Sequence, residues 1–140
     1  MASSHLQDTP IPVRYKLAAL WTSTMFCYVY GDYFQMYVPG KLQAMQAGQL
    51  AFGAATQGAL VGTTILMAVP SLMIVLSLLL PPAICRWLKL AAGLFYAAIM
   101  LLILFGGAWT FYLLFATIEV VLTLLVVAHA WRWPRAAPAQ

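Results

Sequence analysis

The apolar residues of this chain fall into four long runs, separated by breaks that carry prolines, glycines or polar side chains. The runs are Leu17 to Val38, Gly58 to Leu80, Trp87 to Phe105 and Ala108 to Trp131. Each has roughly the 20 residues that a helix needs to cross a bilayer. Pro39-Gly40 ends the first run, Pro81-Pro82 the second and Gly106-Gly107 the third, as turn-forming pairs do. The stretch Lys41 to Thr56 is less apolar, with Gln43, Gln46, Gln49, Gly48 and Gly53. It is expected to be an extramembrane connection with one short interfacial helix, whose apolar side Leu42, Met45 and Leu50 supply. The pattern predicts an all-α fold, a four-transmembrane-helix bundle running up-down-up-down. That domain occupies residues 17-133, with spans at about 17-38, 58-80, 87-105 and 108-131 and polar tails at 1-16 and 134-140. Short connections within each hairpin favour antiparallel neighbours.

Polar residues inside the runs refine this picture. In the first span Thr24, Tyr28 and Asp32 follow one another at helical spacing, with Gln35 a further turn on. In the fourth, Tyr112, Glu119 and Thr123 fall near one stripe. Polar stripes in lipid face other helices or a wet cavity. Pro70 lies in the middle of the second span, where its missing N–H predicts a kink. Thr63 or Ser71 is expected to satisfy the carbonyl that it frees. Gly58 and Gly62 match a close-packing pattern of membrane helices, and Gly93 and Ala97 do the same on the third span.

Composition strengthens the membrane assignment. The chain is 64% hydrophobic and only 7% charged, against about 25% charged in a soluble domain. It has too few charges to coat a globule. The net charge of +4 does not point to nucleic acid, because basic residues stand singly or in pairs at the ends of apolar runs. Arg14 and Lys16 flank the first span, Arg86 and Lys89 mark the turn before the third, and Arg132 and Arg135 follow the fourth. Only Lys41 lies on the other side. The positive-inside tendency therefore predicts both termini in the cytoplasm, in a multi-pass protein of the inner (plasma) membrane. Trp21, Trp87, Trp131 and Trp133 are read as inner-interface anchors, and Tyr37 and Trp109 as outer ones. The N-terminal segment lacks the pattern of a cleaved signal peptide. Cys27 and Cys85 have no metal-ligand or redox spacing and are read as structural.

The candidate chemistry lies in two acids. By helix rise, Asp32 is placed roughly 10 Å in from the outer end of its span and Glu119 roughly 16 Å. Two carboxyl groups at nearby depths meet if the first and fourth spans touch. A carboxylate at mid-bilayer costs about 2.5 to 3.5 kcal/mol on insertion scales, so one or both are expected to rest protonated and hydrogen-bonded to Thr24, Tyr28, Tyr112 or Thr123. No basic residue is expected within the spans to neutralise them. The proton- or cation-binding candidates are thus Asp32, Glu119, Tyr28, Tyr112, Thr24 and Thr123, with Pro70 as the kink that opens a cavity. The competing bland reading is that two protonated acids hold helices together. His129, beside Trp131, is expected to be an interfacial histidine rather than a haem ligand. His5 is expected to be solvated. No catalytic set, metal site or cofactor is expected.

Three stretches, YGDYFQMYVPG, SLMIVLSLLLPPAICRW and FATIEVVLTLLVVAHAWRW, resemble a domain-of-unknown-function family of small bacterial four-helix membrane proteins. The resemblance covers Lys16 to Trp133. It implies four spans in one domain, with Asp32, Pro39, Gly40, Arg86, Trp87 and Glu119 at matching positions. Cys85 departs from the pattern, which has an asparagine or a basic residue there. The resemblance implies no activity. The expected function is binding or translocation of a proton, cation or proton-coupled small solute at a buried acid pair. An accessory or structural subunit of a larger membrane complex is the alternative, a haem- or quinone-binding redox protein comes third, and an enzyme last. The partners expected are the lipid bilayer and a second copy or larger membrane complex, with no nucleic acid.

Overall fold

The computed structural model describes residues 9–51 and 53–134. His5 and Arg135, with most of the two tails, lie outside the described residues. The chain is mostly helical, with α1 (Val13–Gln35), α2 (Lys41–Gln46), α3 (Gln57–Leu79), α4 (Pro82–Phe105) and α5 (Thr110–Trp131). Between α2 and α3 a two-residue strand pair, β1 (Gln49–Leu50) and β2 (Gly53–Ala54), closes an antiparallel turn. Three helices, α3, α4 and α5, are long and apolar enough to cross a membrane. α1 matches α3 in length, 23 residues, but Arg14, Lys16, the Thr22-Ser23-Thr24 run and Asp32 make it less apolar.

The helix boundaries differ from the sequence expectation in two informative places. The first helix begins at Val13 rather than Leu17, directly after Pro12, and ends at Gln35 rather than Val38. Residues 36–38 already turn toward Gly40, which takes φ +78° and lets α2 start. α4 begins at Pro82, five residues before the expected Trp87. Proline suits the first position of a helix, where its missing N–H costs nothing. Pro81-Pro82 therefore ends one helix and immediately starts the next. Arg86 and Lys89 are helical residues of α4, not turn residues.

α1 packs against α3 and α5, and α4 packs mainly against α5. The α4–α5 approach is close because Gly93 has no side chain: a Cβ there would stand 2.7 Å from Val127 Cγ2 and 3.2 Å from the Thr123 carbonyl oxygen. The core centres on Leu17, Trp21, Tyr28, Met73, Tyr96, Met100 and Val126. Trp21 is fully buried and meets Tyr96 edge-on at 5.9 Å, so it is a core residue and not an interface anchor. Its place at i+4 from buried Leu17 puts it on the inward face of α1.

At one end of the molecule, the basic end, arginines cap helix C-termini. Arg14 donates to the Leu78 carbonyl at 2.9 Å, tying the start of α1 to the end of α3. Arg86 donates to the Trp131 carbonyl at 3.4 Å, tying the start of α4 to the end of α5. Cations there satisfy orphan carbonyls and complement the helix dipole.

α3 and α4 have little backbone contact; long polar side chains bridge them instead. α3 runs unbroken through Pro70, which leaves the Leu66 carbonyl, four residues earlier, without its helical partner. The Tyr96 hydroxyl donates to that oxygen at 2.5 Å. Thr63 and Ser71, expected to do so, bond instead to the carbonyls of Ala59 and Met67, four residues back on their own helix, and the Ser71 hydroxyl also lies 3.6 Å from Met25 Sδ on α1. Two turns along α3, Lys89 Nζ donates to the Met73 carbonyl. Tyr96 and Lys89 are also two turns apart on α4, so the two bridges share one antiparallel register.

Tyr96→Phe is expected to destabilise the detergent-solubilised protein by about 1 kcal/mol, the usual loss when a polar group is left unpaired. Pro70→Ala restores the amide donor to Leu66. On that background the Tyr96→Phe cost should fall toward zero. Thermal unfolding of the four-member cycle checks this, and additive costs would show that Tyr96 does not serve the freed carbonyl.

Candidate functional site

Five α5 residues are buried in a regular stripe: Ala116, Glu119, Thr123, Val126 and Ala130. Glu119 is 4% exposed, at the centre of a helix apolar enough to cross a membrane. On α1 the buried stripe is Leu17, Trp21, Thr24, Tyr28 and Gly31. The two stripes meet where Gly31 packs on Tyr112 and Phe115; a Cβ on Gly31 would stand 3.7 Å from Tyr112 and 3.9 Å from Phe115.

Asp32 is not buried in the chain; its side chain is exposed. There are two reasons. Steps of four residues drift by about 40° each on a helix of 3.6 residues per turn. The row from Thr24 through Tyr28 to Asp32 therefore turns out of the interior, and Gly31 takes the inward place. Because α1 ends at Gln35, Asp32 also sits only about 5 Å from the helix end by helix rise. It is a residue of the far end, opposite the basic one. Taking the contact of Gly31 with Tyr112 and Phe115 as a common level, helix rise puts Tyr28 about 4 Å and Asp32 about 10 Å from Glu119 along the axis.

The expected hydroxyl partners are placed differently from one another. Thr24 and Thr123 are fully buried, but their hydroxyls bond to backbone, Thr24 to Leu20 at 2.9 Å and Thr123 to Glu119 at 2.7 Å. The Tyr28 hydroxyl is buried and has no partner among the described residues. Its ring lies 6.4 Å from that of Tyr96. Among the described residues no side chain bonds to either carboxyl group. Tyr28 is thus the buried free donor on the Glu119 side of the core.

The residue missed from sequence is Lys89. It is fully buried inside α4, stands 5.7 Å over the Trp21 ring and donates to Met73. A basic residue does therefore lie within an apolar helix, contrary to expectation. The signal was available: the expected third span, Trp87 to Phe105, already held Lys89, and Pro82 can start a helix, which carries Lys89 two turns into it. Lys89 does not pair with Glu119. With Gly93 opposite Thr123 and Val127, helix rise separates the two by about 15 Å along the axis. The Trp21 indole N–H, between them in the core, is buried without a partner among the described residues.

Two adjoining grooves open at the far end, sharing Val38, Trp109 and Phe111. One, of about 440 Å³, is lined almost wholly by aromatic and aliphatic side chains, including Phe34, Tyr37 and Phe115. The other, of about 250 Å³, is lined by Gln35, Lys41 and Tyr112. No α3 residue lines either groove, so neither is formed at Pro70. Pro70 is instead a packed core position. His129 Nδ1 lies 2.8 Å from the Leu125 carbonyl of its own helix. Cys27 and Cys85 are free thiols. Among the described residues no group of three or more His, Cys, Asp or Glu side chains is placed to hold a metal ion.

The profile of a family of unknown function, DUF6326, matches residues 12–139. Comparison with curated proteins and with solved structures finds no match.

Lys89→Met keeps the volume and removes the charge. It is expected to unfold within about 1.5 kcal/mol of the parent, since apolar replacement of a buried charge is often tolerated. Lys89→Ala should lose about 2 to 5 kcal/mol by leaving a cavity under Trp21. Equal losses for the two would make the ammonium, not the packing, the stabilising part.

Proposed function

The chain belongs to the DUF6326 family of unknown function, and we propose that this member is a four-span protein of the inner membrane that binds and passes a proton or small cation at Glu119. In this reading α1 is the fourth span, shielded on two sides by α3 and α5. The basic end faces the cytoplasm, following the positive-inside tendency, and the helices alternate in direction.

The observation that carries the proposal is Glu119 itself. It is a buried carboxyl in an apolar helix, with Lys89 too far away to pair with it. Intramembrane acids without a counter-ion are functional candidates by default. A carboxyl used only to hold helices together is expected to carry a hydrogen bond to a neighbouring helix. Here the nearest α1 donor, Tyr28, is unengaged. Glu119 is assigned the exchange of the proton, Tyr28 and Tyr112 the donation of hydrogen bonds to its ionised form, and Asp32 the link to the far-end surface. Thr24 and Thr123, committed to backbone carbonyls, support helix packing beside the site.

Purified protein in liposomes, with a potassium gradient and valinomycin imposing the potential, should acidify the lumen as read by a trapped pH dye. Glu119→Gln should reduce the rate at least about tenfold, as loss of a proton-transfer group does, while unfolding stays within about 1 kcal/mol of the parent. Equal rates for parent and variant at every pH tested would end the carrier role.

A second reading, an accessory subunit or self-associating protein, is favoured by α3. Gly58 and Gly62 have nothing within 4 Å of an added Cβ, so this close-packing face is unoccupied among the described residues. That reading predicts native masses above the 15.4 kDa of one chain. It also predicts that Gly62→Ile returns the mass to one chain without unfolding it. A mass unchanged by Gly62→Ile rules this face out as the contact.

A further inference from the structure

The basic end holds more cationic donors than the fold uses. Arg14, Lys16, Arg86 and Arg132 lie there, at the starts of α1 and α4 and the end of α5. The acids among the described residues lie elsewhere. With Gly93 opposite Thr123 and Val127, helix rise separates Arg86 from Glu119 by about 20 Å along the axis, and Asp32 is at the far end. Arg86 therefore has no carboxylate within reach among the described residues.

The setting of Arg86 is built rather than loose. Its guanidinium carbon stands 5.6 Å from the centre of the Trp87 ring and 5.8 Å from that of Trp131, close enough for both rings to attract the charge. A guanidinium carries five N–H donors in a planar fork. Nη2 gives one to the Trp131 carbonyl at 3.4 Å, and Nε is buried without a partner among the described residues. The fork is thus held in place and short of acceptors. Trp87 and Trp131 are 64% and 65% exposed, so both rings face out of the bundle. No side chain caps α4, and the N–H groups of Ala83 and Ile84 have no helical acceptor. The positive end of the helix dipole therefore lies within a turn of Arg86.

We infer that this corner, where the start of α4 meets the end of α5, binds an anionic phospholipid of the cytoplasmic leaflet, with its phosphate on Arg86 and its glycerol and upper acyl chains against Trp87 and Trp131. Phosphate oxygens accept from a guanidinium fork in pairs. Tryptophan rings settle at headgroup depth, and basic pockets between helices on this side of a membrane suit anionic headgroups. A zwitterionic lipid offers the same phosphate, but its ammonium meets only cations here. The inference uses the placement of the basic end at the cytoplasmic surface and is independent of proton exchange at Glu119.

Native mass spectrometry of the detergent-solubilised full chain, with dioleoylphosphatidylglycerol and dioleoylphosphatidylcholine at equal concentration, reads the preference. The parent should bind the anionic lipid about tenfold more tightly. Arg86→Gln should cut that ratio to about threefold or less. The phosphatidylcholine affinity should stay unchanged, which a misfolded chain does not allow. Arg86→Lys keeps a charge without the fork and should fall between the two. Trp131→Leu should weaken both lipids alike, while Lys41→Gln and Glu119→Gln should change neither. Equal affinities in the parent overturn the inference, as does a preference that survives Arg86→Gln. If Arg86→Gln weakens both lipids and Arg86→Lys restores both in full, Arg86 serves only the Trp131 carbonyl and the inference falls. Inorganic phosphate in large excess should leave the lipid bound. Displacement by phosphate makes the ligand a free anion and removes the lipid.

Discussion

Much of this molecule follows from one constraint: a backbone carbonyl in an apolar setting must find a donor. Pro70 deprives the Leu66 carbonyl of its helical partner, and Tyr96 of the neighbouring helix supplies the replacement. This single bond explains several features at once. It holds α3 and α4 in register although their backbones scarcely touch. It places the Tyr96 ring where Trp21 and Tyr28 pack on it. The same stripe of α4 carries Lys89 to the Met73 carbonyl. α4 is thus a helix whose inward face is half packing and half donor, and the wide α3–α4 seam is filled by large side chains that end in polar atoms.

The gross plan was legible in the sequence because it depends on residue type along the chain. The apolar runs that form α3, α4 and α5, and the glycine that lets α4 approach α5, needed no tertiary information. What was not legible depends on angle and on reach. Asp32 follows Tyr28 at the spacing of a helical row, yet an 8-residue step from Thr24 turns it about 80° from the starting face. Gly31, with no side chain to attract notice, holds the inward position. The partner of the Pro70 carbonyl was sought among nearby hydroxyls, and the answer came from a tyrosine 30 positions away. Local spacing cannot rank such a donor. Lys89 was misplaced for a different reason: it fell inside the expected span 87-105 but was counted with the basic turn, because Pro81-Pro82 was read only as a stop, while proline is equally a start.

The two buried charged residues divide the core. Glu119 and Lys89 are on adjacent, closely packed helices, and a shift of a few turns would have paired them. A buried ion pair would neutralise both and leave a chemically quiet core. Instead each has a different kind of environment. Lys89 has an aromatic face and a carbonyl, fixed acceptors that cannot themselves exchange a proton at ordinary pH. Glu119 is buried without a side-chain partner among the described residues, near the level of the unengaged Tyr28 hydroxyl. The lysine is held by structure, whereas the acid is left free to change its partner.

That division also bears on which end is active. At the basic end Arg14 and Arg86 are tied to the carbonyls of Leu78 and Trp131, so part of the charge there closes helix ends. At the far end α1 stops at Gln35, and the starts of α5 and α2 line two open grooves. In the proposed reading, Glu119 exchanges with that far end, on the side of Asp32 and Tyr112. Passage onward to the basic end would have to cross the Trp21–Tyr96 contact, which is packed edge-on at 5.9 Å. In the proposed reading the aromatic pair is the closed side of the site, and a species that crosses the molecule waits on movement of Trp21 or Tyr96. Since Tyr96 also holds the carbonyl freed by Pro70, that movement is coupled to the α3–α4 seam. The proline then acts through the hydrogen bond it makes necessary, rather than by opening a cavity of its own.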